Sequence, residues 1–217
     1  MLTTVFFDLD GTLTDSCGGI FAGVAHAMTA LGRPTRADEV SRAWIGPPLY
    51  DCFRAIYGLG DAEAREGVRL YREYYSREGL FVNEVYDGVR EMLARLQGAG
   101  LRLLLATGKP HEYARRIVDH FALNTAITVV YGAEFDGTRG DKAELLSYAL
   151  TCEGLSPAEC AMVGDRRYDI EGARTVGLAP VGALWGYGSR DELLAAGCPA
   201  VALAKTPAAV ADYLLAL

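Results

Sequence analysis

Apolar residues follow two rhythms along the chain. Short unbroken runs occupy 3–9 (TTVFFDL), 101–107 (LRLLLAT), 127–133 (ITVVYGA), 160–165 (CAMVGD) and 179–185 (APVGALW). Runs of this length and continuity suit strands covered on both faces, as in a parallel sheet. Between them, apolar residues recur at helical spacing over 87–99, 111–122, 141–153, 169–176 and 189–196. Gly100, Gly154, Gly177 and Gly197 stand where those helices would end. Strand alternating with helix predicts an α/β fold: a doubly wound, Rossmann-like parallel sheet.

Residues 16 to 80 break the alternation. They hold no strand pattern but show helical patterns at 18–31, 37–44, 48–57 and 61–78. The expected organisation is a catalytic core of residues 1–15 and 83–217, with a small all-helical cap domain, 16–82, inserted after the first strand.

Composition narrows the partners. Of 217 residues, 51% are hydrophobic and 23% charged, and the net charge is -7. A broad basic surface for a nucleic-acid polymer is therefore not expected. The cysteines (Cys17, Cys52, Cys152, Cys160 and Cys198) are scattered and form no C-x-x-C pair, which favours free thiols over a zinc site or a disulfide framework. The amino-terminal run is cut by Asp8 and Asp10 and lacks a basic leader. No apolar stretch approaches the roughly 20 residues that span a bilayer. The expectation is a cytoplasmic protein with no membrane partner, a monomer or weak homodimer.

In open α/β sheets, ligands bind outside the carboxyl ends of the strands. Here those ends carry Asp8 and Asp10, then Thr107-Gly108-Lys109, then Gly164-Asp165-Arg166 with Asp169 four residues on. Lys142 opens the helix before the strand that ends in Asp165. Converging carboxylates repel one another, and a hard divalent cation with oxygen ligands, Mg²⁺, relieves that repulsion. A hydroxyl, a lysine and glycine-exposed N–H groups then suit the tetrahedral oxygens of a phosphate.

With these residues in this order, the chain resembles the haloacid dehalogenase superfamily, and within it the phosphoglycolate-phosphatase-like members with a helical cap. The residues carrying the resemblance are DLDGTLTDS at 8–16, LLLATGK at 103–109, DK at 141–142 and GDRRYDIEGAR at 164–174. The resemblance implies that Asp8 is the nucleophile forming an aspartyl-phosphate, and that Asp10 is first the acid and then the base. It implies that Thr107, Gly108 and Lys142 hold the phosphoryl group. Asp8, Asp10 (by its backbone carbonyl) and Asp165 would bind Mg²⁺, and Asp169 would support the metal or orient Lys142. The loop WIGPPL, 44–49, is similar to the family's cap loop that reaches the substrate, with Gly46 at its closest approach. Where many members read Lys-Pro, this chain reads DKAELL, and Lys109 stands as a rival phosphate ligand.

The implied activity is Mg²⁺-dependent hydrolysis of a small phosphorylated metabolite, phosphoglycolate-like or a nucleoside monophosphate. A sugar phosphomutase of the same superfamily is the alternative. A non-catalytic phosphate-binding protein fits less well, because binding alone has no use for Asp10.

Overall fold

The first apolar run forms β1 (Thr4–Phe7), and all four of its residues are buried. The computed structural model describes residues 1–33, 35 and 42–217. Most of the expected 37–44 helix falls outside the described residues, and its end, Arg42–Trp44, is a turn of 3₁₀-helix.

The described residues divide into two compact units, Met1–Thr14 with Val85–Leu217, and Asp15–Glu84. The chain leaves the first unit through a two-residue strand, β2 (Thr14–Asp15). The second unit follows with α1 (Cys17–Ala30), α2 (Leu49–Tyr57) and α3 (Asp61–Tyr75). It closes on itself through aromatic and small residues. Tyr71 and Tyr75 stack at 5.1 Å, and Trp44 meets Phe53 edge-on at 4.9 Å. A Cβ at Gly23 would lie 2.7 Å from the Tyr71 ring, so glycine is what lets α1 come this close to α3. The chain returns through β3 (Glu84–Val85), which pairs with β2 in a two-stranded sheet.

The first unit then alternates α4 (Val89–Gly98), β4 (Arg102–Pro110), α5 (His111–His120), β5 (Ile127–Ala133), α6 (Lys142–Glu153), β6 (Cys160–Gly164), α7 (Arg167–Val176), β7 (Ala179–Ala183), α8 (Arg190–Ala195), β8 (Leu203–Ala204) and α9 (Pro207–Leu215). The six-stranded sheet has the order β5-β4-β1-β6-β7-β8, and its paired strands are parallel. Phe6, Leu104, Met162 and Tyr131 face α6 and α7 in one core cluster. Val5, Phe7, Leu103 and Leu105 alternate to the other face and are equally buried, with α4 and α5 against β4 and α9 against β7. Burial on both faces explains why these strands read as unbroken apolar runs.

Three features depart from the expected pattern. β4 runs to Pro110, with a register shift after Thr107, so Lys109 lies inside the strand and not beyond its end. α7 begins at Arg167, which puts Asp169 within its first turn. The carboxyl-terminal β8 and α9 were not foreseen, because a two-residue strand and an alanine-rich helix carry little periodic signal.

Strand order decides where the site lies. From β1 the chain builds outward to β4 and β5, then returns to β6 on the other side of β1. The direction of winding reverses at β1, and a crevice opens at the carboxyl ends of the strands on either side.

Candidate active site

β1 is extended by one bond, from the Asp8 N–H to the Val163 carbonyl at 2.9 Å, and then turns sharply. Leu9 accepts the N–H groups of Thr12, Leu13 and Thr14, and Gly11 adopts φ +85, a conformation that favours glycine. This turn presents Asp8 and Asp10 at the crevice and buries Leu9 and Leu13 behind them.

Lys142 meets Asp8 from α6. Asp141 caps that helix, its carboxylate accepting the Glu144 N–H at 3.0 Å. The cap needs no proline after the lysine, so the DKAELL departure leaves the helix start intact. The Lys142 ammonium donates to Asp8 at 3.1 Å, to Asp169 at 2.7 Å and to the Ala106 carbonyl at 2.8 Å. Burial works against this charge, but the Asp169 and Asp8 carboxylates outweigh it and hold the lysine above its usual range. Burial raises Asp169, while Lys142 opposes the rise. The second Asp169 oxygen accepts the Arg166 N–H at 3.1 Å. Asp169 thus orients Lys142 directly.

Asp165 is fully buried at the end of β6. One oxygen accepts the Thr12 hydroxyl at 3.0 Å and the other the Tyr187 N–H at 2.8 Å. Burial, then the Asp169 and Asp8 charges, push its carboxyl up to about 8, against the pull of those two donors.

Oxygen atoms of Asp8, Asp165 and Asp169 lie within 4.8 Å of one another. Two carboxylates at this separation repel by about 3–4 kcal/mol at an effective dielectric near 20. Asp8 and Asp165 offer hard oxygen donors and Asp169 adds its charge to their repulsion, a set that fits a divalent cation such as Mg²⁺. The Asp10 side chain is turned elsewhere: Lys109 donates to both of its oxygens, at 2.6 and 2.8 Å.

Thr107 is buried beside Ala106, and its hydroxyl oxygen accepts the Lys109 N–H at 3.3 Å. Gly108 is exposed next to it. Gly46 belongs to the second unit, with φ +111. Two further cations are engaged elsewhere: Arg166 pairs with Glu192 at 2.9 Å, and Arg139 pairs with Glu134 and lies over the Tyr148 ring. The structure therefore gathers Asp8, Asp165, Asp169 and Lys142 tightly, with Asp10 and Thr107 beside them. It gives Lys109 to Asp10 and not to an open phosphate cradle.

Sequence reasoning missed the residues around Asp165. Thr12 was read only as part of its motif, and Trp185 and Tyr187 were not singled out. The signal was a Gly-x-Gly, 186–188, just past the end of β7.

Carboxylates and a buried ammonium at the winding reversal of a parallel sheet define a class, enzymes that act on anionic substrates at this edge of a Rossmann-like fold. The family follows from residues 2–177, which match the model for haloacid dehalogenase-like hydrolases. The chain belongs to that family and is an enzyme of the phosphoric monoester hydrolase class. It is 45% identical over 195 residues to a 5'-nucleotidase of Pseudomonas aeruginosa, covering 88% of this chain and 86% of that protein. It is 42% identical over 187 residues to the tyrosine-protein kinase PtkA of Mycobacterium tuberculosis, covering 86% of this chain but spanning only 64% of that relative's length. Its structure is similar to that of a predicted phosphatase from Clostridium acetobutylicum, with TM-score 0.93, 31% identity and both chains fully covered. Among the described residues, no helix is long and apolar enough to cross a membrane.

Proposed function

We propose that this enzyme is a Mg²⁺-dependent phosphatase of small phosphate monoesters, working through an aspartyl-phosphate on Asp8. The observation that carries the reading is the Lys142 ammonium, buried and shared between Asp8 and Asp169. A carboxylate attacks a phosphate dianion slowly because both are negative, and a fixed cation beside the nucleophile offsets that repulsion.

Asp8, Asp165 and the Asp10 backbone carbonyl would hold Mg²⁺. When bound, the ion would neutralise charge on the phosphoryl oxygens and on the carboxylates. The chain's own residues supply the rest. An Asp8 oxygen attacks phosphorus as the bond to the leaving oxygen breaks, and Asp10 gives that oxygen a proton. Asp10 then takes a proton from water, which attacks the acyl phosphate, releases inorganic phosphate and restores Asp8. For these steps one Asp10 oxygen must leave Lys109. The Thr107 hydroxyl and the Gly108 N–H would bind phosphoryl oxygens, while Asp169 keeps Lys142 in place.

Nucleoside 5'-monophosphates come first among the candidate substrates, because the relative sharing 45% identity is a 5'-nucleotidase. Phosphoglycolate is the smaller alternative. The test is phosphate release from a nucleoside 5'-monophosphate, phosphoglycolate and a sugar phosphate, each with Mg²⁺ and with EDTA. Release from at least one ester, abolished by EDTA and restored by Mg²⁺, is expected. No release from any of them with Mg²⁺, or full activity in EDTA, would overturn the proposal.

A further inference from the structure

The loop after β7, Trp185–Ser189, packs against Asp165 and against the turn that carries Thr12. The Tyr187 N–H donates to one carboxylate oxygen at 2.8 Å. The Trp185 indole N–H donates to the Thr12 carbonyl at 3.0 Å, and the Thr12 hydroxyl donates to the other carboxylate oxygen at 3.0 Å. Two glycines make the approach possible. A Cβ at Gly186 would collide with the Gly11 carbonyl and the Asp165 side chain, and one at Gly188 with the Asp165 carbonyl.

The far end of the loop is anchored as well. Ser189 caps α8 by accepting the Glu192 N–H at 3.0 Å. Glu192 in turn accepts from the Arg166 side chain and the Arg167 N–H, both at 2.9 Å. The loop is therefore tied at its start, through Trp185, to the turn bearing Asp8 and Asp10, in its middle, through Tyr187, to Asp165, and at its far end, through Glu192, to the segment that follows Asp165.

We infer that Trp185–Ser189, acting with Thr12, is a clamp that fixes Asp165 for divalent-cation binding, and that Trp185 is a positioning residue for metal affinity. The inference rests on the Mg²⁺ assignment made under the proposed function. Its physical basis is the arrangement of donors. A carboxylate has four lone-pair sites, and the clamp engages one on each oxygen, which leaves one on each for a metal. Both bonds resist rotation of the carboxylate away from its like-charged neighbours, so the ligand is held in place before the ion arrives.

The test is calorimetric titration of Mg²⁺ into the metal-free full chain, for the parent, Trp185→Phe, Thr12→Val and Thr12→Ser. Trp185→Phe keeps an aromatic ring but removes the N–H together with part of the ring's volume. Groups that orient metal ligands typically change affinity by about 10–100-fold. Thr12→Val is expected to weaken binding across that range and Trp185→Phe about tenfold, with Thr12→Ser close to the parent. Thermal unfolding in EDTA checks that each variant is folded, and the Thr12 pair carries the test if Trp185→Phe is not. For Trp185→Phe, kcat should recover at saturating Mg²⁺, which a general packing defect would not allow. Parent-like Mg²⁺ affinity in both Trp185→Phe and Thr12→Val would overturn the clamp and leave the Mg²⁺ reading standing. A parent that binds no Mg²⁺ would overturn both.

Discussion

At the scale of residues, Asp8 and Asp10 sit two positions apart and differ in partner: Asp8 faces Lys142, and Asp10 faces Lys109. Asp8→Asn should lower kcat by about 10³-fold or more, because the nucleophile acts as a unit with its supporting groups. The folded state should survive, since Asp8 is only partly buried. Asp10→Asn should cost about 10²–10⁴-fold on an alkyl phosphate, the usual worth of a positioned acid or base. On p-nitrophenyl phosphate, whose leaving group needs little protonation, the loss should be smaller. Equal losses on both esters would argue against Asp10 as the acid. Asp165 gives a pH dependence. Its carboxyl is raised to about 8 in the metal-free fold. A raised folded value adds stability below the ordinary carboxylate range, and that stability is lost as pH rises through about 8. In EDTA, Tm should therefore fall between about pH 5 and 8.5 by more than it does in Asp165→Asn. The Tm gain on adding Mg²⁺ should grow over the same interval, because the ion competes with the proton for the carboxylate. A gain that is equal at both ends would exclude Asp165 as a ligand.

At the scale of elements, the position of Lys142 depends on two helices packing closely. Gly172 of α7 faces the Lys142 side chain, and a Cβ there would lie 2.7 Å from Cγ and 2.8 Å from Cβ. Gly172→Ala should cost about 1–3 kcal/mol by overpacking. It should also lower kcat, by pushing the ammonium off Asp8. Thermal unfolding and steady-state rates measure the two effects separately. A loss of stability with unchanged kcat would mean that Lys142 adapts within the site. β4 carries a related lesson. The run at 101–107 is expected as a strand ending at Thr107, whereas the strand continues through Lys109 to Pro110. Residues 107–109 look like turn chemistry in isolation, but β4 pairs with β5 at Thr107 and again at Pro110, across a register shift.

At the scale of the whole molecule, the chemistry and the choice of substrate are expected to reside in different units. Asp8, Asp10, Thr107, Lys142, Asp165 and Asp169 lie in the first unit, and the WIGPPL loop lies in the second. The phosphoryl group is common to all esters, so its ligands cannot tell one leaving group from another. Gly46→Leu should therefore change the order of kcat/KM among a small ester, a sugar phosphate and a nucleotide, lowering it most for the bulky ones. Such a change adds a side chain at φ +111, so its thermal stability must be measured beside the parent. A uniform drop across the three esters would mean that the loop does not read the leaving group.

Much of this enzyme was legible in the chain itself. The central strands β1 and β6 and the body of β4 are buried on both faces, and such strands must be written in unbroken apolar residues whatever surrounds them. Helix ends at Gly154 and Gly177 were equally local, because a left-handed cap favours glycine. The family motif could be read because its residues are adjacent in sequence. The partners of those residues could not. Thr12 and Asp165 are 153 positions apart, as are Lys109 and Asp10 by 99, and only the strand order brings them within hydrogen-bond reach. Lys109 and Lys142 follow equally plausible strand or helix boundaries, and nothing in their local sequence says which one faces Asp8. That depends on which helix packs against β4, and on how closely Gly172 lets it approach. Local sequence set what each element is, and tertiary packing set which charges meet, because a charge finds its partner through space and not along the chain.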